Sequence, residues 1–421
     1  MSLSQQKLGF HYYPDTDHYG ETDLHTWLPV LTSAGASWLT LQGNAGSIIP
    51  ESFIRPLVAA AINPIVHITA PVGSVRMAQV YTALHAYAEW GVQHVVFFDR
   101  PNVRTSWPSS NWTHDALINR FAETLIPILE AQNEMGLTPV LPPLEPGGDY
   151  WDTAFLENAL ALINERASEA VKTKLTLAVY IWSYGHALDW GQGGSKSWPD
   201  SRPYGSPEGS EDQRGFQIND WYQEIAEKVM GRRIPLLVMA GGAGPTEIYD
   251  TPEAIQMGNN EVASHLALHD LAEDILNFNF YPLATARGHR DFQAAWYIRP
   301  SKLENSTGAK ELPSKPTSEK EFEHYVLLGL SNQTNGLRLW DAIAPLAMSL
   351  RPTIGFSLEE AKRAARVSLV GDLDALPASI EQELQECGSV YERFDKWDSD
   401  EFLIAASDWA ANKSVLGVNH D

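Results

Sequence analysis

The sequence predicts an α/β fold, a (β/α)8 TIM barrel with a C-terminal helical extension, and three observations lead there. Short apolar runs alternate with longer stretches whose apolar residues recur every three or four positions, the pattern of βα units on a parallel sheet. Eight such runs can be read before residue 281. The chain of 421 residues, 44% of them hydrophobic, can bury one large core and still leave a tail beyond a barrel of about 250 residues.

The strands are expected at Leu8–Tyr13, Ser37–Gln42, Pro64–Thr69, His94–Phe98, Thr138–Pro142, Leu175–Trp182, Pro235–Met239 and Leu276–Phe280. Helical patterns lie between them at Met77–Trp90, Asp115–Met135, Ala154–Ala170, Gln217–Val229 and Glu261–Asp274. In the second of these, Phe121, Leu125, Ile128 and Leu129 share one face. The longest break, Ser183–Gly215, is rich in Gly, Ser, Pro and Trp. It follows strand six on the C-terminal face, where barrels build their sites, so it is expected to form a cleft wall.

Beyond strand eight, Ala294–Ile298 reads as a further short strand and Ser301–Lys320 as a mobile loop or linker. Glu321–Leu330 reads as the closing helix, which places the barrel at residues 7–330. Residues 331–421 read as a mostly helical extension with a helical pair at Ser357–Leu369 and Pro377–Phe394. Ser357-Leu358-Glu359-Glu360 is a helix start, with serine as the cap and acids in the first turn. No repeat of fixed period is present, and this extension is expected to be a packing surface or to bind a protein partner.

A net charge of −23, from 53 acidic and 30 basic residues, argues against nucleic acid or an anionic membrane as partner, since both require clustered Lys and Arg. The lone Cys387 excludes an internal disulfide framework and any multi-cysteine metal site. No run approaches the ~20 apolar residues of a membrane span, and Met1–Lys7 lacks the apolar stretch of a signal peptide. Localisation is left between the cytoplasm and a domain trimmed from a longer exported protein. Aromatic residues are plentiful (14 Trp, 15 Tyr, 14 Phe), and several fall in expected loops, where a ring can pack on the apolar face of a sugar.

The most informative stretch is Phe97-Phe98-Asp99-Arg100-Pro101-Asn102, followed about forty residues later by Pro142-Pro143-Leu144-Glu145-Pro146-Gly147-Gly148-Asp149-Tyr150. In this order the chain resembles retaining glycoside hydrolases of the (β/α)8 clan, especially their xylosidase- and iduronidase-like branch, over about residues 8–300. The resemblance implies a general acid/base Glu where this chain has Arg100. It implies a nucleophile Glu at the end of strand seven, where this chain has Ala240, or Gly241 one residue on. It implies a His at the position of Tyr180. Arginine cannot protonate a leaving group and alanine cannot attack an anomeric carbon. The expectation is a carbohydrate-binding pseudoenzyme with no cofactor.

Three other readings stay open. An active glycosidase would use Glu145, Asp99 and Glu247 as unorthodox carboxylates, widely spaced pairs suiting an inverting mechanism. Alternatively, Asp99 or Glu145 pairs with Arg100, since a cation at the barrel mouth needs an acid. A protein-interaction scaffold is the third reading. Expected substrate-binding residues are Tyr12, Arg100, Asn102, Trp151, Tyr180, Trp182 and Tyr184, although strand alternation turns about half of any such list toward the helices. His11, His67 and His186 could meet across the mouth, but no His-x-His pair supports a metal, and none is expected. The glycines at 241, 242 and 244 match no phosphate-binding motif.

Overall fold

A computed structural model describes residues 7–108, 112, 116–244, 252–269, 271–283, 320, 322–329, 343, 352–371 and 373–394. In chain order the barrel half comprises β1 (Leu8–His11), α1 (Glu21–Ala34), β2 (Trp38–Asn44), β3 (Ser47–Ile48), α2 (Glu51–Ala59), β4 (Asn63–Thr69), α3 (Met77–Glu89), β5 (His94–Phe97), α4 (Leu117–Glu134) and β6 (Val140–Leu141). It continues with α5 (Asp152–Arg166), α6 (Glu169–Lys174), β7 (Thr176–Trp182), α7 (Gly194–Ser197), α8 (Ile218–Met230), β8 (Leu236–Gly242), α9 (Pro252–Leu268) and β9 (Ile275–Phe280). All eight expected strands are present, with β3 a short addition.

These strands form a parallel ring. β1 pairs with β2 on one side and β9 on the other, with Gly9 opposite both Trp38 and Asn279. From there the ladder runs β2–β4–β5 one way and β9–β8–β7–β6 the other. Gly9 is demanded by crowding, because a Cβ there would come within 2.0 Å of Asn279 Oδ1 and 2.6 Å of the Trp38 Cβ.

The seam between β5 and β6 closes differently. β6 is only two residues long because Pro139, Pro142 and Pro143 flank it and have no N–H to donate. Backbone bonds from Thr138 N to Gln93 O and from Arg100 N to Pro143 O, both 3.0 Å, tie the seam at its two ends. Between them the fully buried Gln132 of α4 replaces the ladder, its Nε2 donating to Val95 O at 2.6 Å and its Oε1 accepting from Val140 N at 3.1 Å.

The barrel is filled by Ile65, Val96, Val140, Ala178, Leu237 and Met239, with Trp38, Tyr180 and Leu276 packed on them. Where the β8–β9 register shifts, Asn277 supplies the missing bonds, accepting from Val238 N at 3.0 Å and donating to Val238 O at 2.9 Å. A larger core lies between strands and helices, and α4 places Phe121, Leu125, Ile128 and Leu129 in it, as its period requires.

The C-terminal part departs from the helical expectation. Glu321–Leu330 is not a helix: it contains β10 (Phe322–Leu328), which pairs in parallel with β11 (Thr353–Gly355) and β12 (Ala364–Val370), while β12 pairs with β13 (Val390–Phe394). Among the described residues of that part, the helices are α10 (Leu358–Ala361) and α11 (Ser379–Glu386). Ser357 caps α10 as expected, its hydroxyl accepting from Glu360 N. The pattern from Ala361 to Arg366 reads as helix by composition, but Val367 and Val370 are β-branched and the strand wins by burial between β10 and β13. Gly388, at φ +74°, ends the second helix well before the Phe394 that its pattern suggested.

β11 also pairs with β3, so the C-terminal sheet is continuous with the barrel ladder. Glu360 reinforces this junction, accepting from Tyr325 OH at 2.9 Å and from Asn44 Nδ2 at 3.4 Å. The readings at Ala294–Ile298 and Ser301–Lys320, Lys320 itself excepted, lie outside the described residues.

Candidate functional site

The C-terminal ends of β5, β6, β7 and β9 bring the site together. Immediately after β5, Phe98 and Arg100 take left-handed backbone conformations, with φ of +70° and +45°. Tyr184, after β7, does the same at +51°. Bulky residues there cost about 1–3 kcal/mol each and persist only where surrounding contacts hold them.

Arg100 is the hub. Its Nε donates to Asp99 Oδ2 at 2.9 Å and its Nη1 to Glu145 Oε2 at 3.2 Å, so one guanidinium bridges both carboxylates. Asp99 Oδ1 accepts in addition from Tyr180 OH at 2.7 Å. The side chains of Arg100, Asp99 and Glu145 are 46%, 20% and 30% exposed, so a ligand in solvent can reach all three. Burial lowers the guanidinium's pKa, but Asp99, Tyr180 and Glu145 together raise it further, and the net is a permanent cation.

His67 Nε2 lies 2.9 Å from Phe98 O, and since a carbonyl only accepts, that nitrogen carries the hydrogen. Burial depresses the pKa of His67, and it also depresses that of His11, to about 4, so both rings are neutral at pH 7. The 4.0 Å approach of His67 to Asp99 is therefore a dipole contact and not an ion pair. His186, the third histidine of the expectation, instead stacks on Trp190 at 4.0 Å. Among the described residues no cluster of three or more His, Cys, Asp or Glu is arranged to hold a metal.

An aromatic wall stands beside the hub. Tyr180 stacks on Trp182 with ring centres 6.0 Å apart, Trp182 meets Tyr281 edge-on at 5.8 Å, and Tyr281 meets His11 at 5.1 Å. Ala240 is buried directly opposite Tyr180 in the β7–β8 ladder. The end of β8 thus carries no acid, and a Cβ on its last residue, Gly242, would strike Asn259 Oδ1 at 2.1 Å.

Other expected site residues are placed in structural roles. Tyr12 is fully buried and is corrected from a ligand contact to a core residue: it packs outside the barrel on Tyr13, Tyr19, Trp27 and Phe53. The cause is strand alternation, which turns it toward the helices. Asn102, also fully buried, clamps the two loops around Arg100: its Nδ2 donates to Glu145 O at 2.8 Å and Tyr150 O at 2.9 Å, and its Oδ1 accepts from Glu145 N at 2.8 Å. Asn102→Ala would strand these buried groups, and unfolding in urea is expected to show a loss of about 3 kcal/mol. Trp151 is 93% buried beside the mouth, the Arg214 guanidinium lying 5.2 Å from its ring centre. Glu247 lies outside the described residues.

Sequence reasoning passed over Tyr281, Arg214 and Asp152. Tyr281 directly follows strand eight, which is a usable signal. Asp152 is buried at the start of α5 and accepts from Gly147 N, Gln213 Nε2 and Tyr222 OH at 2.7–2.9 Å. Burial raises its pKa to about 6 in spite of those donors.

No family model matches the chain, and no curated protein matches it. Solved structures similar to it include a GH128 (subgroup II) endo-β-1,3-glucanase from Sorangium cellulosum, at 12% identity and a TM-score of 0.41, covering 69% of this chain and 97% of that one. AbfB, a family 51 α-L-arabinofuranosidase from Bifidobacterium longum, is 10% identical with a TM-score of 0.41, covering 66% of this chain and 67% of its own. β-Glucuronidase 2 of Bacteroides uniformis is 10% identical with a TM-score of 0.43, covering 76% of this chain and 37% of its own. These likenesses assign no residue of this chain a role.

Proposed function

We propose that the barrel mouth binds a carbohydrate and does not hydrolyse it. The observation that carries this reading is the bridging of Asp99 and Glu145 by Arg100. A retaining glycosidase needs two carboxyl groups about 5–5.5 Å apart, one of them protonated, with the glycosidic bond between them. Here the space between the two acids is filled by a cation that has no proton to give. What remains suits binding: charged hydrogen-bonding groups open to solvent beside the aromatic cluster of Tyr180, Trp182 and Tyr281.

Backbone strain at Phe98, Arg100 and Tyr184 favours a second reading, an active hydrolase in which a substrate draws Arg100 away and frees Asp99 and Glu145. Calorimetric titration of the protein with gluco- and xylo-oligosaccharides tests the first reading. Glu145→Gln and Arg100→Gln should each weaken binding by about 10- to 100-fold, the worth of a hydrogen bond to a charged group. Unchanged affinity in both variants would place the ligand elsewhere.

A further inference from the structure

Among the described residues the exposed large apolar side chains are Tyr204, Met257, Leu268, Leu373 and Val390. Met257 and Leu268 lie on α9 and Leu373 and Val390 belong to the C-terminal sheet unit, whereas Tyr204 stands on the loop expected to wall the cleft. It is 64% exposed, yet it is not loose. Arg202 and Gly205 exchange both backbone hydrogen bonds, 2.9 Å each, which makes Arg202-Pro203-Tyr204-Gly205 a tight turn. Tyr204 occupies its third position at φ +66°, a place suited to glycine. A bulky, exposed side chain is thus held in strained backbone.

Two contacts fix where that ring stands. The Tyr204 hydroxyl accepts from Trp151 N at 2.8 Å, one residue beyond the Tyr150 that Asn102 clamps to the Arg100 loop. Its ring lies 5.4 Å from that of Trp151, over which the Arg214 guanidinium lies at 5.2 Å. Arg214 is itself locked to Asp212, and the glycine at 147, φ +74°, leaves room for it, since a Cβ there would meet Arg214 Cδ at 2.8 Å. Tyr184 stands within electrostatic reach of Arg100, Glu145, Asp152 and Arg214, and its hydroxyl is buried without a hydrogen-bond partner among the described residues. The Tyr150–Trp151 segment therefore ties the turn that carries Tyr204 to the loop that carries Arg100.

We propose that Tyr204 is an outer stacking platform, so that the ligand of this mouth is an oligosaccharide chain running from Arg100 to Tyr204 and not a single sugar. The proposal rests on the carbohydrate-binding reading and adds the length of the ligand to it. An exposed phenol ring can receive the apolar face of a pyranose, while the strained turn and the bond to Trp151 N hold it in place.

Titration of the full chain with β-1,3- and β-1,4-linked gluco-oligosaccharides and xylo-oligosaccharides, from monomer to hexamer, tests it. Wild-type affinity should rise with chain length. Tyr204→Ala should lose about 5- to 20-fold on the longer members and nothing on the monomer. Tyr204→Phe removes only the hydroxyl and Tyr204→Trp enlarges the ring, and both should keep the length dependence. Equal losses on monomer and hexamer, or none on either, would overturn the platform while leaving the mouth a sugar site. Absence of wild-type binding to every member would overturn the carbohydrate reading, and the platform with it.

Discussion

Lowering the pH from about 7 to about 5 should cost this protein on the order of 4 kcal/mol of folding stability. Burial holds His11, His94 and His324 at pKa values of about 4, against 6.5 when unfolded. Above pH 6.5 neither state binds these protons, and nothing is lost. Between 6.5 and 4 the unfolded chain takes them up and the folded one does not, so stability falls as pH falls. At about pH 5 each buried imidazole contributes about 2 kcal/mol to that fall. Asp152 works the other way. Its folded pKa of about 6 exceeds the unfolded 3.8, so the folded state gains stability as pH drops through 6, by about 1–2 kcal/mol at pH 5. Urea unfolding at the two pH values measures the difference. His94→Leu should flatten the pH profile by about 2 kcal/mol, because His94 Nδ1 has no hydrogen-bond partner among the described residues and its ring packs on Trp38. A profile that does not slope, or one that His94→Leu leaves as steep as before, would show that these histidines are not held neutral.

Gln132→Met should cost about 3 kcal/mol although it changes volume little. Elsewhere around the ring neighbouring strands hold each other through their own backbones, but at the β5–β6 seam the link between Val95 and Val140 is this one amide. Removing it leaves a buried carbonyl and a buried N–H without a partner, each worth about 1–3 kcal/mol. Because the seam opens directly beneath Arg100 and Glu145, hydrogen exchange of β6 and its flanking loop should accelerate in the variant more than that of β1 or β2. An equilibrium loss below about 0.5 kcal/mol would mean that the flanking bonds from Thr138 and Arg100 suffice to close the barrel.

The eight barrel strands were legible because each is a short apolar run buried on both faces, and runs of that kind have few alternatives. β6 shrank to two residues for a reason also written in the sequence, the prolines around it. The C-terminal strands were not legible. Ala361–Arg366 and Pro377–Gln385 carry good helix formers, and whether such a stretch continues as helix or turns into strand is decided by partners far away in the chain. In the site, the pairing of Arg100 with an acid followed from charge balance alone, and both candidate acids take part. Tyr12 was misplaced because a strand's period of two separates its faces without saying which one looks inward. Tyr204 and Arg214 were hidden inside a loop of irregular backbone, where no periodicity links a residue to a direction in space.

Hydrolysis of a panel of aryl α- and β-glycosides by wild type and Glu145→Gln, with sugar binding followed in parallel by tryptophan fluorescence, tests the central claim most directly. Saturable binding with no turnover above the uncatalysed rate is the predicted result, and it would leave Arg100 as a group that holds sugar where an acid would cleave it. Turnover that wild type shows and Glu145→Gln abolishes would contradict it, and would make the Asp99–Arg100–Glu145 bridge the resting state of an active enzyme.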